Sequence, residues 1–64
     1  MAKPGWDGAP NKAKWLAQDK SGDWYWYKGK PKAMTCSWLG FADWWFAGLG
    51  EVNENFRETL EQRP

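Results

Sequence analysis

The stretch 23-DWYWYKGKPK-32 places four large aromatic side chains in a row and follows them with three lysines. Because successive side chains of a β-strand point to opposite faces, this order predicts Trp24 and Trp26 on one face and Tyr25 and Tyr27 on the other. One face would pack against the core, and the other would be half covered, with the tyrosine hydroxyls in contact with water. The stretch therefore predicts the central strand of a small sheet.

The residues around this strand predict its neighbours. Residues 13–18 form a second apolar run, and the polar segment 19–23 between the two runs contains a glycine, a pattern typical of a β-hairpin. Glycine and proline within 28–32 predict a turn. Residues 33–38 predict a third strand, and residues 39–46 fit either a further strand or an irregular aromatic segment.

The C-terminal segment 53–63 predicts a short amphipathic helix. Val52, Phe56 and Leu60 recur at every fourth position, which places them on one face of a helix, and good helix formers fill much of the segment. The predicted fold class is therefore α+β: a three- or four-stranded antiparallel sheet with a Trp-rich core and one C-terminal helix laid across it.

Size and composition predict a single domain over residues 1–64, with an extended N-terminal arm at 1–9 and a sheet region at 13–46. One cysteine and no histidine exclude an intrachain disulfide and an ordinary structural zinc site, so we expect neither a metal nor a cofactor. The seven tryptophans are the expected source of core stability. The lone Cys36 is expected to be a small buried residue on a strand.

Charge and hydropathy argue against a dedicated nucleic-acid binder and against a secreted or membrane protein. The net charge is +1, with seven lysines and three aspartates in residues 1–32, and two arginines, one aspartate and four glutamates in residues 33–64. A dedicated nucleic-acid binder should be plainly basic, and this chain is not. Neither a signal peptide nor an apolar run of membrane-spanning length is visible, so we expect a cytoplasmic protein without a membrane partner.

The inventory of reactive groups does not predict an enzyme. Without histidine the chain lacks an ordinary Ser/His or Cys/His nucleophile pair, and it contains no glycine-rich phosphate-binding motif. Binding is the favoured class of function, because tryptophan and tyrosine are preferred anchors at protein interfaces. The candidate protein-binding residues are Trp44 and Trp45. In the alternative interpretation they lie on a strand with one ring inward and the other outward, and the N-terminal arm covers the outer ring.

A second binding hypothesis concerns single-stranded nucleic acid. Aromatic rings beside lysines can stack on successive bases, and the candidate residues for such a face are Tyr25, Tyr27, Lys28, Lys30 and Lys32. In the alternative interpretation, the tyrosines support the terminal helix and the lysines are solvated in a turn. A third hypothesis is carbohydrate binding, because exposed aromatic rings also stack on sugars. The lack of a visible secretion signal counts against it.

Two resemblances add to this interpretation. Three segments, 6-WDGAP-10, 19-DKSGDWYWY-27 and 57-RETLEQRP-64, match W-x-x-A-P, D-x-x-G-x-W-x-W-[FY] and R-x-[ST]-L-E-x-R-P in order. In these motifs the chain resembles a family of small tryptophan-rich tailed-bacteriophage and prophage proteins of unknown function. The spacing of Trp15 and Trp38 loosely resembles the WW domain, but the family's proline and binding histidine are missing.

The bacteriophage resemblance implies a non-enzymatic accessory protein made in the host-cell cytoplasm during infection. It leaves the partner unspecified, and a host or phage protein is the expected one, with nucleic acid as the alternative. The chain is expected to be a monomer or a weak homodimer.

Overall fold

The computed structural model describes residues 3–64 of a small, tryptophan-rich domain built mainly from antiparallel sheets. Within that range its regular elements are β1 (Trp15–Gln18), β2 (Trp24–Tyr27), β3 (Lys32–Ala33), β4 (Trp38–Leu39), β5 (Trp44–Gly48), a 3-10 helix (Phe56–Thr59) and β6 (Glu61–Gln62). Four strands form one sheet in the order β5-β2-β1-β6, and β3 and β4 form a separate hairpin.

The predicted hairpin around the aromatic stretch is confirmed. Strands β1 and β2 pair antiparallel, with Trp15 opposite Tyr27 and Gln18 opposite Trp24. Gly22 sits in the turn with a φ of 109°, a left-handed conformation that glycine adopts without the cost a side chain would add. Local sequence therefore determines the centre of this sheet.

The four-stranded sheet has two faces, which the register defines. The tyrosine face carries Trp15, Ala17, Tyr25, Tyr27, Trp44 and Phe46, and the tryptophan face carries Leu16, Gln18, Trp24, Trp26 and Trp45. The chain that leaves β4 covers part of the tyrosine face, because a Cβ added at Gly40 would lie 3.0 Å from the Tyr27 ring. On the tryptophan face the N-terminal arm passes over Trp26 near Gly8.

The core is smaller and less rich in tryptophan than the sequence predicts. Its buried apolar residues are Ala13, Leu16, Ala17, Trp24, Tyr27 and Phe56. Trp24 is thus the one tryptophan among them, and the remaining six indole rings keep part of their surface in water. A domain of this size has too little interior for seven such rings.

The predicted helix at 53–63 is wrong, and with it the α+β class. Among residues 3–64 the only helical element is the four-residue 3-10 helix, and Glu61–Gln62 form a strand that pairs antiparallel with β1. The pairing extends one residue further, where Arg63 N donates to the Lys14 carbonyl at 2.7 Å. Without β6 the outer edge of β1 would be left without backbone partners, and those bonds outweigh the weak helix preference of a short segment.

A threonine hydroxyl completes this edge where the backbone ladder stops. Gln18 N donates to Thr59 Oγ1 at 2.9 Å, and the same hydroxyl donates to the Phe56 carbonyl at 2.6 Å. Phe56 is 1% exposed, whereas Val52 is 72% exposed, so the two do not share a buried face. The four-residue repeat in the sequence therefore does not correspond to a packed helical stripe.

The predicted third strand at 33–38 is also wrong. Its residues divide between β3 and β4, and a tight turn joins the two strands with Met34 N donating to the Ser37 carbonyl at 2.8 Å. Cys36 lies in that turn and is exposed, contrary to the buried position predicted for it. This turn is hydrogen-bonded to the turn between β1 and β2, since Lys20 N donates to the Cys36 carbonyl at 2.9 Å.

The N-terminal arm is held by the C-terminal strand. Trp6 Nε1 donates to Glu61 Oε2 at 3.2 Å, and the Arg63 guanidinium lies over the Trp6 ring, 5.2 Å from its centroid. Lys3 forms an ion pair with Glu61.

The predicted arm begins at residue 1, and residues 1–2 lie outside the described range. Over residues 3–64 the fold offers no helix with the length and apolar character that crossing a membrane requires.

Candidate functional interface

Exposed aromatic and aliphatic side chains gather on the chain between β4 and the end of β5. The exposed fractions are 43% for Leu39, 69% for Phe41, 57% for Trp44 and 54% for Phe46. We call these four residues the β4–β5 surface. Trp44 and Phe46 share one face of β5, and Leu39 lines the same groove as Trp44. An exposed apolar patch of this kind is typical of an interaction site.

The alternation of β5 separates its two tryptophans. Trp44 lies opposite Tyr27 on the tyrosine face and is exposed, while Trp45 lies opposite Trp26 on the tryptophan face and is half-buried. Phe46 returns to the tyrosine face, where its ring meets the Tyr25 ring edge-on at 5.6 Å between centroids. Strand geometry thus exposes Trp44 and Phe46 to solvent on one face of β5 and points Trp45 to the other face.

A groove of about 240 Å³ lies beside this surface, between the tyrosine face and β4. Its lining includes Tyr25, Tyr27, Trp38, Leu39 and Trp44. Trp38 is fixed in place at its N–H, because Nε1 donates to the Gln18 carbonyl at 2.8 Å. Four of these five side chains are aromatic, so the groove is suited to flat or aliphatic groups.

One carboxylate, that of Asp19, also lines the groove. Its Oδ1 accepts a hydrogen bond from Trp38 N at 3.2 Å, and no ion pair to it is present within residues 3–64. Burial raises the pKa of the Asp19 carboxyl above its ordinary value; the hydrogen bond from Trp38 lowers it in part, and the nearby charge of Asp23 raises it further. An acid in this position gains from a cation that enters the groove.

Tyr27 forms the buried floor of the groove. It is 3% exposed, and burial raises the pKa of its phenol well above the ordinary value, with smaller contributions from the charge of Asp19 and from Tyr25. The folded protein therefore resists ionisation of this hydroxyl.

This burial predicts a specific loss of stability in alkali. Because the folded-state pKa lies above the unfolded value of about 10, the stability that Tyr27 contributes is complete below pH ~10 and falls as pH rises from there toward the folded-state pKa. We expect Tyr27→Phe to remove up to about 1 kcal/mol of that loss per pH unit. Urea unfolding followed by circular dichroism at pH 9 and pH 11 measures it.

The control is Tyr25→Phe, which alters a half-buried neighbour on the same face and keeps the Tyr27 phenol. It should still lose stability in alkali. Identical losses in the wild type and in Tyr27→Phe would show that another group is responsible.

The residues of the predicted nucleic-acid face differ in their exposure to solvent. Lys28, Lys30 and Lys32 are exposed, and Lys30 Nζ lies 5.5 Å from the centroid of the Trp15 ring. Tyr25 is half-buried, and the ring of Tyr27 is covered. Stacking bases on this face would therefore depend on Tyr25, unless Gly40 and its neighbours moved away from Tyr27.

Sequence reasoning named Trp44 but missed Phe46, Phe41, Leu39 and the Asp19 carboxylate. Asp19 lies in the polar segment for which the sequence predicts a turn, and its contact with β4 depends on a residue 19 positions away in the chain. The alternation of β5 could have identified Phe46 once the strand was placed. No signal in the sequence indicated the groove, because a hairpin that was predicted as one strand forms its wall.

No group of three potential metal ligands is found in the described part of the chain.

Comparison with protein-family models, curated proteins and solved structures finds no match. The resemblance to the bacteriophage family therefore stays a prediction. The geometry of the β4–β5 surface is what bears on function.

Proposed function

We propose that this protein is a small, non-enzymatic interaction module that binds another protein through the β4–β5 surface and the adjoining groove. In keeping with the bacteriophage resemblance, the partner is a host or phage protein met in the host-cell cytoplasm, and the role is that of an accessory factor.

One observation carries it: Trp44, at 57% exposure, stands beside Phe46 on a strand of the main sheet. Tryptophan is prominent among the residues that dominate binding energy at interfaces. Rings held on a strand lose little conformational entropy on binding, so ordering them costs less binding free energy. Aromatic rings exposed side by side on a strand of the main sheet therefore support protein binding.

The groove indicates the chemistry of the partner. Its aromatic walls favour aliphatic or aromatic side chains, and the Asp19 carboxylate favours a basic group among them. A lysine or arginine placed there would lie close to aromatic rings as well as to the acid, and both attract a cation. We therefore expect a partner segment that combines apolar residues with at least one basic residue.

The test starts with a tagged protein exposed to bacterial lysate, with and without nuclease, and with identification of what co-purifies. Binding to the purified partner is then measured for the wild type, for Trp44→Ala and for Val52→Ala. Val52 is a matched control because it is 72% exposed and lies outside the β4–β5 surface. We expect Trp44→Ala to weaken binding by about 2 kcal/mol, a factor of roughly 30.

Equal affinity of the wild type and Trp44→Ala for the purified partner would contradict the proposal. Partners that disappear with nuclease would favour the second candidate, single-stranded nucleic-acid binding. That candidate has the support of the exposed lysines and of Lys30 beside the Trp15 ring. Its first variants would be Tyr25→Ala and Lys28→Ala.

A further inference from the structure

The outer side of β5 is an open sheet edge within residues 3–64. In the order β5-β2-β1-β6, β5 stands at the end and pairs on one side only, with β2. No residue of Trp44–Gly48 is charged, whereas the opposite edge strand β6 carries Glu61. Proteins commonly place charges or prolines on such edges to prevent pairing with other chains. Strand β5 lacks both devices.

The hydrogen-bond pattern shows which groups this edge presents. Lys28 N donates to the Asp43 carbonyl at 2.9 Å, so these two residues form a hydrogen-bonded pair just beyond the strands. Such pairs alternate along an antiparallel ladder, which makes Trp26 and Trp45 the next one. The N–H and C=O groups of Trp44 and Phe46 consequently point away from β2, toward the open side.

We propose that a second copy of this chain occupies the edge, with the two β5 strands antiparallel and the twofold axis between the two Trp45 residues. In this register Trp44 of each copy lies opposite Phe46 of the other. The outward N–H and C=O groups of these two residues then form four backbone hydrogen bonds. The two four-stranded sheets become one continuous sheet of eight strands.

The side chains favour a second copy over an unrelated strand. Within one copy, Tyr25 lies opposite Phe46 and Tyr27 lies opposite Trp44. Across the axis, the row from Tyr25 to Phe46 continues into the partner's Trp44 and Tyr27, and the symmetric row does the same. Cross-strand aromatic pairs stabilise a sheet, and each such contact occurs twice in the dimer.

The extent of the edge limits the strength of the dimer. The register shifts between Trp24 and Tyr25, so β5 bulges after Phe46 and only residues 44–46 offer a regular ladder. We expect an equilibrium between monomer and dimer rather than an obligate assembly. The inference concerns the backbone edge of β5, and it does not depend on the protein partner proposed above.

The test is sedimentation over a wide range of concentration, in reducing buffer because the exposed Cys36 could otherwise link two chains. The expected mass rises from the 7.5 kDa of one chain toward twice that value. Phe46→Lys should weaken association about tenfold or more, because each dimer loses two aromatic pairs and gains two charges. Val52→Lys, an equally drastic change at an exposed site, should associate like the wild type.

Amide hydrogen exchange tests the register and the edge directly. The amides of Trp44 and Phe46 should become protected as concentration rises, while the amide of Trp45, which is bonded to β2, should be protected at every concentration. A constant monomer mass would overturn the proposal. So would association that leaves the amides of Trp44 and Phe46 unprotected, or that persists unchanged in Phe46→Lys. None of these results bears on the binding of a different protein by Trp44, so the two proposals fail separately.

Discussion

Replacing Gly22 by alanine should remove most of the stability of this domain. Gly22 has a φ of 109°, and an added Cβ would stand 2.7 Å from the Glu51 carbonyl carbon and even closer to the Gly50 carbonyl oxygen. The strained backbone and the backbone clash each cost about 1–3 kcal/mol, so we expect a loss of about 4 kcal/mol. A domain of this size has a total stability of only roughly 3–10 kcal/mol.

Urea unfolding followed by tryptophan fluorescence measures the effect, and Gly5→Ala is the matched control. No heavy atom lies within 4 Å of a Cβ at position 5. That variant should therefore unfold at the same urea concentration as the wild type, or slightly higher. If Gly22→Ala did so as well, the close approach of the β1–β2 turn to residues 50–51 would be wrong.

The second large effect is expected at Gln18, whose side-chain amide joins three segments of the chain. Nε2 donates to the Gly22 carbonyl at 2.9 Å and to the Glu51 carbonyl at 3.1 Å, and Oε1 accepts from Asn53 Nδ2 at 3.0 Å. Gln18 is 5% exposed. Replacement by leucine, which has a similar volume, leaves these three groups without their partner. We expect a loss of about 3 kcal/mol.

The control for this prediction is Gln62→Leu, because Gln62 is an exposed glutamine in the same sheet. Its substitution should change the free energy of unfolding by no more than about 0.5 kcal/mol. Gln18→Glu adds a sharper test, since it keeps the shape and places a carboxylate against two carbonyl oxygens. Should Gln18→Leu be as stable as the wild type, water rather than glutamine would be satisfying these groups.

The parts of the fold that the sequence predicted are those set by neighbouring residues. Alternating aromatics, a polar segment and Gly22 were enough to place β1, β2 and the turn between them. In the same way, strand alternation places Trp44 and Trp45 on opposite faces of β5, but the N-terminal arm does not cover the outer ring, since Trp44 is 57% exposed. The alternation of side chains along a strand depends only on neighbouring residues, so it can be predicted without knowing the rest of the fold.

The C-terminal segment was mispredicted because distant contacts determine it. Its apolar spacing and helix formers favour a helix locally, but β6 satisfies the open edge of β1 and Thr59 satisfies the Gln18 amide. These partners lie about 40 residues earlier, as the 41-residue separation of Gln18 and Thr59 shows. A single sequence gives no sign of such pairings or of the need of β1 for an outer neighbour.

The groove escaped prediction for a related reason. Its wall consists of a hairpin with two-residue strands, which are too short to show a periodic pattern. Asp19 lines the groove only because the turn of that hairpin bonds to the first turn of the sheet. The partner chemistry inferred from the groove therefore depends on a tertiary contact between two turns, where sequence signals are weakest.

The pairing of β6 with β1 also has a kinetic consequence. The β1–β2 hairpin closes a loop of a few residues, whereas β6 must return across most of the chain, as must the contact between Trp6 and Glu61, 55 residues apart. Closing a long loop costs more conformational entropy than closing a short one. Strand β6 has only two residues, so its few hydrogen bonds offset this entropy only when β1 has already formed. From this topology we expect the aromatic hairpin to form first and the two ends of the chain to meet over it last.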